Sequence, residues 1–212
     1  MTKDELARLS ELGVATVYEA AGRAGLIDMP LMQLIPGSRA AGPARTVLCG
    51  QDDNLMVHAA IEHIQPGEVL ILTMPEPAPV ALVGELLATQ VKVRGAAAIL
   101  VDGAVRDVEE LVKLGLPVWT RFIRVKGATK TKVGELNGTV SVGGAKIYPS
   151  DSVVLDIDGG VCVQQARAGD ILKAAETRFE KEARLREKLA AGEISYDLHK
   201  LREIVETKRR KP

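Results

Sequence analysis

The sequence has no excess of charge of either sign, because 28 basic residues balance 28 acidic residues among 212. This balance removes the overall electrostatic attraction that draws basic proteins to nucleic acid or to anionic membranes. We therefore predict no nucleic-acid partner and no membrane partner. The basic run TKRRKP at residues 207–212 is local, and we interpret it as a solvated terminal segment.

Long apolar runs are also absent. No window approaches the length of a membrane span, and the charged residues 1–13 contain no apolar block typical of a signal peptide. The two cysteines, Cys49 and Cys162, lie far apart in apolar, strand-like segments and form no C-x-x-C metal spacing. We interpret them as buried, reduced thiols and expect a cytoplasmic protein.

A G-x-G-x-x-G motif after a predicted strand is missing, which disfavours a dinucleotide-binding enzyme. Internal repeats and low-complexity stretches are missing too. The apolar share of 46% and the charged share of 26% are ordinary for a globular protein, and 212 residues suffice to bury a core. We therefore predict a single domain covering residues 1–212.

The middle of the chain alternates strand and helix patterns. Strands are predicted at VLILTM (69–74), AAAILVDG (96–103) and PVWTRF (117–122). One helix is predicted within VALVGELLATQVKVRG (80–95), and a short one at DVEELVKLG (107–115). This alternation with short links is typical of right-handed βαβαβ crossovers and of a parallel sheet covered on both faces.

The N-terminal segment is predicted to hold two helices, one ending at Gly13 and the next, ATVYEAAGRAG, ending at Gly25. A loop rich in Pro and Gly, a strand at 44–49 and a helix at 53–64 follow. From about residue 134, short alternating strands broken by Gly, Pro and Asp indicate a β-meander.

A long C-terminal helix is predicted at about residues 169–191, with an extended tail to residue 212. A helix this long and this charged is expected to reach past its own domain. The resulting fold class is α/β, a layered sandwich with βαβαβ crossovers, a C-terminal β-meander and a long helix. The apolar stripe of that helix consists of Ile171, Leu172, Ala175, Phe179, Leu185 and Leu189.

The pair Arg106 and Asp107 comes directly after an apolar predicted strand. In an open α/β sheet, ligands collect beyond the carboxyl ends of the strands, and Gly103 allows a tight turn there. A simpler interpretation remains open, because Asp107 and Glu110 have the spacing of a helix capping box. Arg106 is then an ordinary surface arginine.

Glu85 lies near the start of the preceding predicted helix, with twenty residues between it and Arg106. In a βαβ unit this helix start and the end of the following strand meet at one sheet edge, so Glu85 and Asp107 can face each other. Two carboxylates beside an arginine suit a hard divalent cation, Mg²⁺ or Mn²⁺, with water and substrate as further ligands. Alternatively, Glu85 only favours the helix dipole.

The same helix start offers backbone donors. The amides of Leu86 and Leu87, just beyond Gly84, are predicted to form an anion site. A cation, an arginine and these amides together suit a 2-oxo acid. His58 and His63 do not have the i, i+4 spacing of a zinc pair, and we interpret them as packing or polar helix residues.

Five motifs carry a resemblance to a known family: GELLATQ, RGAAAILVDGAVRD, PVWTRF, KGATK and DSVVLDIDGGVCV. The sequence resembles the 4-hydroxy-4-methyl-2-oxoglutarate / 4-carboxy-4-hydroxy-2-oxoadipate aldolases of the RraA-like family, which also contains regulators of ribonuclease E. The likeness extends from about residue 12 to about residue 205 and implies an RraA-like fold. Its most specific part is an acid followed, after twenty residues, by Arg-Asp.

The resemblance implies a metal-dependent aldolase that cleaves these hydroxy-oxo acids to pyruvate plus pyruvate or oxaloacetate, with oxaloacetate decarboxylation as a side activity. It implies that Asp107 binds the metal directly and that Glu85 does so through a water. Arg106 is implied to bind the keto and carboxyl oxygens of the substrate. The amides of Leu86 and Leu87 are implied to bind its pyruvyl carboxylate, and Gly84 is also assigned to substrate binding.

The resemblance also implies a homotrimer or homohexamer, in which a glutamate on the C-terminal helix of a neighbouring subunit completes the site. We assign this role to Glu180, with Glu182 as the alternative. The pathway suggested by the family is degradation of aromatic compounds such as protocatechuate or gallate.

One departure from the family pattern is Glu85, because the aldolases usually have Asp there; this leaves the activity level and the metal preference open. The regulators resemble this chain in fold but lack the acid after the arginine, so Asp107 favours an enzyme over a non-enzymatic regulator of a ribonuclease E-type partner. The candidates for binding the distal carboxylates, with solvated surface cations as the alternative, are Lys92, Lys126, Lys130, Arg121 and Arg124.

Overall fold

Parallel strands and their connecting helices form the centre of the fold. The computed structural model describes residues 1–209, so the end of the basic run at 210–212 lies outside the described residues. The chain divides into two units, Met1–Ala175 and the part from Glu176 onward. Every strand of the described residues belongs to the first unit.

The helices are α1 (Lys3–Leu12), α2 (Val14–Ala20), α3 (Leu55–His63), α4 (Glu85–Val93), α5 (Val108–Leu114), α6 (Ala168–Ala190), α7 (Ser195–Leu198) and α8 (Leu201–Arg209). The strands are β1 (Met32–Gln33), β2 (Ala40–Leu48), β3 (Val69–Thr73), β4 (Ala81–Val83), β5 (Ala98–Val105), β6 (Val118–Ile123), β7 (Glu135–Leu136), β8 (Val140–Val142), β9 (Ala145–Ile147), β10 (Ser152–Asp156) and β11 (Gly159–Val163).

The main sheet has the strand order β1-β6-β5-β3-β2-β10-β11, and β4 and β7 pair with β5 and β2. Strands β2, β3, β5 and β6 run parallel to one another, with α3, α4 and α5 in the connections between them. Strands β10 and β11 form an antiparallel hairpin beside β2, and β8 and β9 form a separate hairpin. The predicted α/β class with βαβαβ crossovers is confirmed, whereas the strands predicted as a β-meander form two hairpins that lie in different sheets.

The two faces of the sheet are covered by different structures, because alternate strand residues point to opposite sides. In β3, Leu70 and Leu72 pack in the core cluster that contains the apolar residues of α3, α4 and α5. Val69 and Ile71 pack in a second cluster with residues of β8, β9 and β10. Trp119, the single tryptophan of the sequence, is fully buried in this second cluster and donates from Nε1 to the Asp156 carbonyl at 2.8 Å.

Two predicted elements of the N-terminal and central parts differ from the structure. Helix α2 ends at Ala20 and not at Gly25, because Gly22 and Arg23 take positive φ values of 73° and 63° and turn the chain. The segment 80–95 begins with the short strand β4, and its helix starts only at Glu85. All three β4 residues are buried, since this strand pairs with β5 inside the core.

The long helix α6 is one residue away from its predicted bounds at each end. The tail predicted to be extended is instead helical at Ser195–Leu198 and Leu201–Arg209. Its stripe is buried at Ile171, Leu172 and Ala175, which belong to the first unit. In the second unit Leu189 of the same stripe is 38% exposed. Within residues 1–209, no helix is both long enough and apolar enough to cross a membrane.

Candidate functional site

A cleft of about 300 Å³ opens where the carboxyl ends of β4 and β5 meet the start of α4. This is the sheet edge at which ligands of α/β proteins collect. The structure brings Gly84, Leu86, Leu87, Arg106 and Asp107 together in its lining. The complete lining is Asn54, His58, Ala81, Gly84, Leu86, Leu87, Gln90, Arg106, Asp107, Gly127, Ala128 and Lys130.

Asp107 does not cap the helix that follows it. It occupies the residue before α5 with a φ of 57°, and its side chain makes no capping hydrogen bond to that helix. Its Oδ2 instead accepts a hydrogen bond from the backbone amide of Glu85 at 3.2 Å. The capping-box interpretation is therefore wrong, and the carboxylate joins the end of β5 to the start of α4.

Gly84 makes this arrangement sterically feasible. A Cβ at position 84 would collide with Asp107 Oδ2 and would also lie 3.2 Å from Arg106 Nε. The absence of a side chain thus lets the carboxylate approach the helix start closely.

Arg106 lies between two glycines beside the carboxylate. Its Nε is 3.7 Å from Asp107 Oδ2, and its side chain is 50% exposed. Its backbone amide donates to the Val83 carbonyl at 3.1 Å, which ties β5 to β4 directly before the cleft. On the other side, a Cβ at Gly127 would lie 3.0 Å from Arg106 Nη1. The guanidinium therefore has a defined place with one side open to the cleft.

Glu85 is the first residue of α4 and contacts Asp107 through its backbone amide. Its carboxylate Oε1 accepts a hydrogen bond from Thr89 Oγ1 at 2.8 Å, one helical turn further on. Among residues 1–209, no cluster of three or more His, Cys, Asp or Glu side chains has the arrangement of a metal site. The lining includes Asp107 but not Glu85, so a cation in this cleft would have the Asp107 carboxylate and would need further oxygen ligands from water or substrate.

The start of α4 presents free backbone donors, as predicted for Leu86 and Leu87. The first hydrogen bond that closes the helix runs from Ala88 N to the Gly84 carbonyl at 3.1 Å, so the two preceding amides have no acceptor within the helix. Both leucines line the cleft; the Leu86 side chain is 77% exposed, whereas that of Leu87 is 8% exposed. Two such amides at a helix N-terminus favour an anion.

Two residues of the α3 region line the cleft without having been assigned to it from the sequence. Asn54 is 7% exposed and donates from Nδ2 to the Leu82 carbonyl at 3.0 Å, while its Oδ1 is buried without a hydrogen-bond partner among the described residues. His58, one turn further on, is exposed at the cleft. The four-residue spacing of Asn54 and His58 is a signal for a shared helix face.

Among the five candidate cations, Lys130 lines the cleft. Lys92 donates to the Leu114 carbonyl at 2.5 Å, and Arg124 to the adjacent Ile123 carbonyl at 2.7 Å. Arg121 pairs at 2.9 Å with Asp102, a carboxyl whose pKa is raised by burial in spite of this partner. The structure thus favours Lys130 over the other candidates for contact with a ligand in this cleft.

Both cysteines are free and buried, as predicted. Burial and the nearby Asp53 raise the pKa of the Cys49 thiol to about 12. Burial and the neighbouring Asp151 also raise the pKa of the Cys162 thiol. Burial thus disfavours the thiolate, which is the reactive form of each cysteine.

The two glutamates assigned to a shared site lie on α6 in the second unit. Glu180 is exposed, whereas Glu182 pairs with Arg178 at 2.8 Å. Both line a groove of that unit together with Lys181 and Lys188. The ion pair of Glu182 leaves Glu180 as the more accessible carboxylate.

A comparison with known protein families agrees with this fold. The family model described as RraA-like, Aldolase/RraA, matches residues 14–163. The chain belongs to the RraA-like family. A protein of Halalkalibacterium halodurans, named "Putative 4-hydroxy-4-methyl-2-oxoglutarate aldolase", is 34% identical over 146 residues, covering 68% of this chain and 70% of the relative.

The solved structures that are similar to this chain include two from bacteria whose descriptions name RraA. Streptomyces coelicolor RraAS2, described as an unusual member of the RNase ES inhibitor RraA protein family, has a TM-score of 0.78 and 28% identity, covering 88% of this chain and 97% of that chain. The RNA-processing inhibitor RraA from Thermus thermophilis has a TM-score of 0.59 and 27% identity, and the match covers 66% of this chain and 82% of that chain. The similar proteins therefore include one named as a putative aldolase, one described as an RNA-processing inhibitor and one described as an unusual member of an inhibitor family.

Proposed function

We propose that this protein is a divalent-metal-dependent pyruvate aldolase. Its substrates are 4-hydroxy-4-methyl-2-oxoglutarate, 4-carboxy-4-hydroxy-2-oxoadipate or both, and its products are pyruvate plus pyruvate or oxaloacetate. The observation that carries the proposal is the joint position of Arg106, Asp107 and the first amides of α4 in one cleft. The relative named as an aldolase supports the same reaction.

The residues of the cleft fit a hard cation. Asp107 presents a carboxylate that is 44% exposed, and oxygen is the ligand type that Mg²⁺ and Mn²⁺ prefer. We assign direct binding to Asp107 and binding through water to Glu85. When bound, the cation supplies positive charge for the oxygens of the substrate.

The substrate is bound through its 2-oxo acid end. The amides of Leu86 and Leu87 donate to its carboxylate, which the helix dipole also favours. The Arg106 guanidinium donates to the keto and carboxyl oxygens, a geometry that its planar fork matches. Lys130, which also lines the cleft, binds the distal carboxylate of the substrate through its positive charge.

The reaction is a retro-aldol cleavage. A base takes the proton of the C4 hydroxyl, the C3–C4 bond breaks, and its electron pair leaves C3 as the enolate of pyruvate, which is then protonated. Arg106 stabilises the negative charge that develops on the enolate oxygen. A water held at Glu85 carries the proton, assisted by Glu180 of a neighbouring subunit in a homotrimer or homohexamer. The same enolate chemistry permits oxaloacetate decarboxylation.

A second candidate function is binding of a ribonuclease E-type partner without catalysis. The similarity to the RNA-processing inhibitor RraA and to RraAS2, an unusual member of that inhibitor family, favours this candidate. Asp107 favours the enzyme, because its carboxylate lies in the cleft beside Arg106 and makes no capping hydrogen bond to α5.

A coupled assay distinguishes the two functions. Pyruvate release from both hydroxy-oxo acids and from oxaloacetate is followed with lactate dehydrogenase, with Mg²⁺ or Mn²⁺ and again with a chelator. We expect release that the chelator abolishes and the metal restores. No metal-dependent pyruvate from any of the three substrates would contradict the aldolase and leave the binding protein.

A further inference from the structure

We infer that Asp53 is a positioning residue of this cleft. Its buried carboxylate holds the cleft loop, defined as residues 126–132, in the place where Gly127 supports Arg106 and Lys130 lines the cleft. What the positioned groups bind rests on the proposed function. The attachment of the loop to Asp53 does not depend on that function.

The carboxylate of Asp53 is 0% exposed and accepts hydrogen bonds from both sides of a junction. Its Oδ2 accepts from Thr129 Oγ1 at 2.6 Å, from Thr131 N at 2.6 Å and from Lys132 N at 3.1 Å. Its Oδ1 accepts from Leu55 N at 2.8 Å, at the start of α3. One side chain thus joins the cleft loop to the helix that carries His58.

The backbone adds a short ladder at the same junction. Asn54 N donates to the Thr129 carbonyl at 2.9 Å, and Thr129 N donates to the Asp52 carbonyl at 3.0 Å. The loop has no helix and no strand of its own from Arg124 to Gly134, and residues 129–133 are exposed. Hydrogen bonds to residues 52–54 are therefore its main attachment on this side.

The carboxylate is suited to this role because it only accepts hydrogen bonds. Burial by itself raises the pKa of Asp53, but the bonds from Thr129, Thr131, Leu55 and Lys132 outweigh burial and hold this pKa well below its usual range. The group is thus ionised at neutral pH. An asparagine in its place would turn an N–H₂ donor toward groups that are themselves donors.

The other end of the loop transmits the position to the arginine. Ala81 N donates to the Lys126 carbonyl at 2.7 Å, and Gly127 forms a bridge with Ala81. The absence of a side chain at Gly127 leaves room for the guanidinium of Arg106. If the loop leaves Asp53, both the support of Arg106 and the site of Lys130 are lost.

The chain offers a matched control. Asp151 is also buried, at 3% exposed, and its carboxylate accepts from Tyr148 N at 3.0 Å and Gln165 N at 2.9 Å. None of these three residues lines the cleft. Asp53→Asn and Asp151→Asn therefore remove the same charge from two similar buried sites, only one of which holds the cleft loop.

Trypsin reports the hold on the loop directly, because it cuts the Lys130–Thr131 bond whose amide donates to Asp53. We expect Asp53→Asn to raise the rate of this cut about tenfold or more, since one of the two buried acceptor oxygens is replaced by an N–H₂ donor. The same variant should lower the kcat of pyruvate release about tenfold or more and raise KM, because Arg106 and Lys130 lose their positions. Asp151→Asn should lower the melting temperature but leave the cut, kcat and KM within about twofold of the parent.

Thr129→Val provides the second variant if Asp53→Asn does not fold. It removes one hydrogen bond of the same carboxylate and should move the cut and kcat in the same direction by a smaller factor. A parental rate of cutting at Lys130, or faster cutting with unchanged kcat and KM, would overturn the inference. Absence of pyruvate release from the parent contradicts only the aldolase proposal. In that case the rate of trypsin cleavage after Lys130 tests by itself whether Asp53 holds the loop.

Discussion

Arg106 is the single arginine that lines the cleft within residues 1–209, and its place is fixed by Gly84, Val83 and Gly127. Arg106→Ala removes the charge that the proposed reaction uses to stabilise the enolate. We expect kcat for pyruvate release to fall by about 10²–10³, as when one donor is removed from an oxyanion site. The control is Arg23→Ala, since the side chain of Arg23 is 70% exposed and pairs with Glu19 of α2, away from the cleft lining. Near-normal release from Arg106→Ala would refute the role.

Gly127→Ala tests the steric support of the same guanidinium. The residue does not have a positive φ, so alanine adds no backbone strain, but its Cβ would lie 3.0 Å from Arg106 Nη1. We expect kcat to fall about tenfold through a small displacement of the arginine, with little change in melting temperature. Gly169→Ala is the matched control, because a Cβ there meets nothing within 4 Å. Equal kcat values for the two variants would contradict the prediction.

At the scale of elements, we expect the stability contributed by the junction of α3 with the cleft loop to depend on pH. The pKa of Asp53 is lower in the folded state than in the unfolded chain, where a value of about 3.9 is usual. Its stabilising contribution is therefore present above that unfolded value and is lost as the pH falls toward the folded one.

We accordingly expect the melting temperature of the parent to exceed that of Asp53→Asn by a constant gap above about pH 5, and the gap to narrow below about pH 4. Thermal unfolding of both proteins between these limits and neutral pH measures it. A difference in melting temperature that widens as the pH falls would show that the ionised Asp53 carboxylate does not stabilise the folded protein.

The strands and helices of the centre are predictable because their patterns are local. The continuous apolar runs of β3 and β5 and the periodic apolar residues of α4 each identify an element without knowledge of its neighbours. The predicted helix α2 is too long, because the pattern places its end at Gly25. In the structure, positive φ values at Gly22 and Arg23 end the helix earlier.

The site was predictable only in part, for a related reason. The convergence of Glu85 with Asp107 follows from the geometry of one βαβ unit, although the contact is made by the amide of Glu85. The approach of Gly127 and Lys130 depends on Asp53, which lies more than seventy residues earlier in the sequence. No local pattern reports such a contact, so the cleft loop and Asn54 could be found only in the folded chain.

At the scale of the whole molecule, the proposed site is shared between subunits, which makes assembly a condition of activity. We expect a trimer or hexamer by light scattering. Chains carrying Arg106→Ala and chains carrying Glu180→Gln should each release little pyruvate alone but recover activity when co-expressed, because mixed assemblies contain some sites with both groups intact. The comparison variant Glu182→Gln should retain more activity, since Glu182 pairs with Arg178.

A monomer in solution would contradict the assembly and the shared glutamate together. Failure of complementation in a trimer or hexamer would contradict only the assignment of Glu180.

The lone tryptophan has a practical value that follows from where it is buried. Trp119 lies in β6, within Met1–Ala175, so its fluorescence reports unfolding of that part of the chain alone. Far-ultraviolet circular dichroism also senses the helices from Glu176 onward. Overlaying the two melting curves therefore shows whether both parts of this chain unfold in one transition or in two.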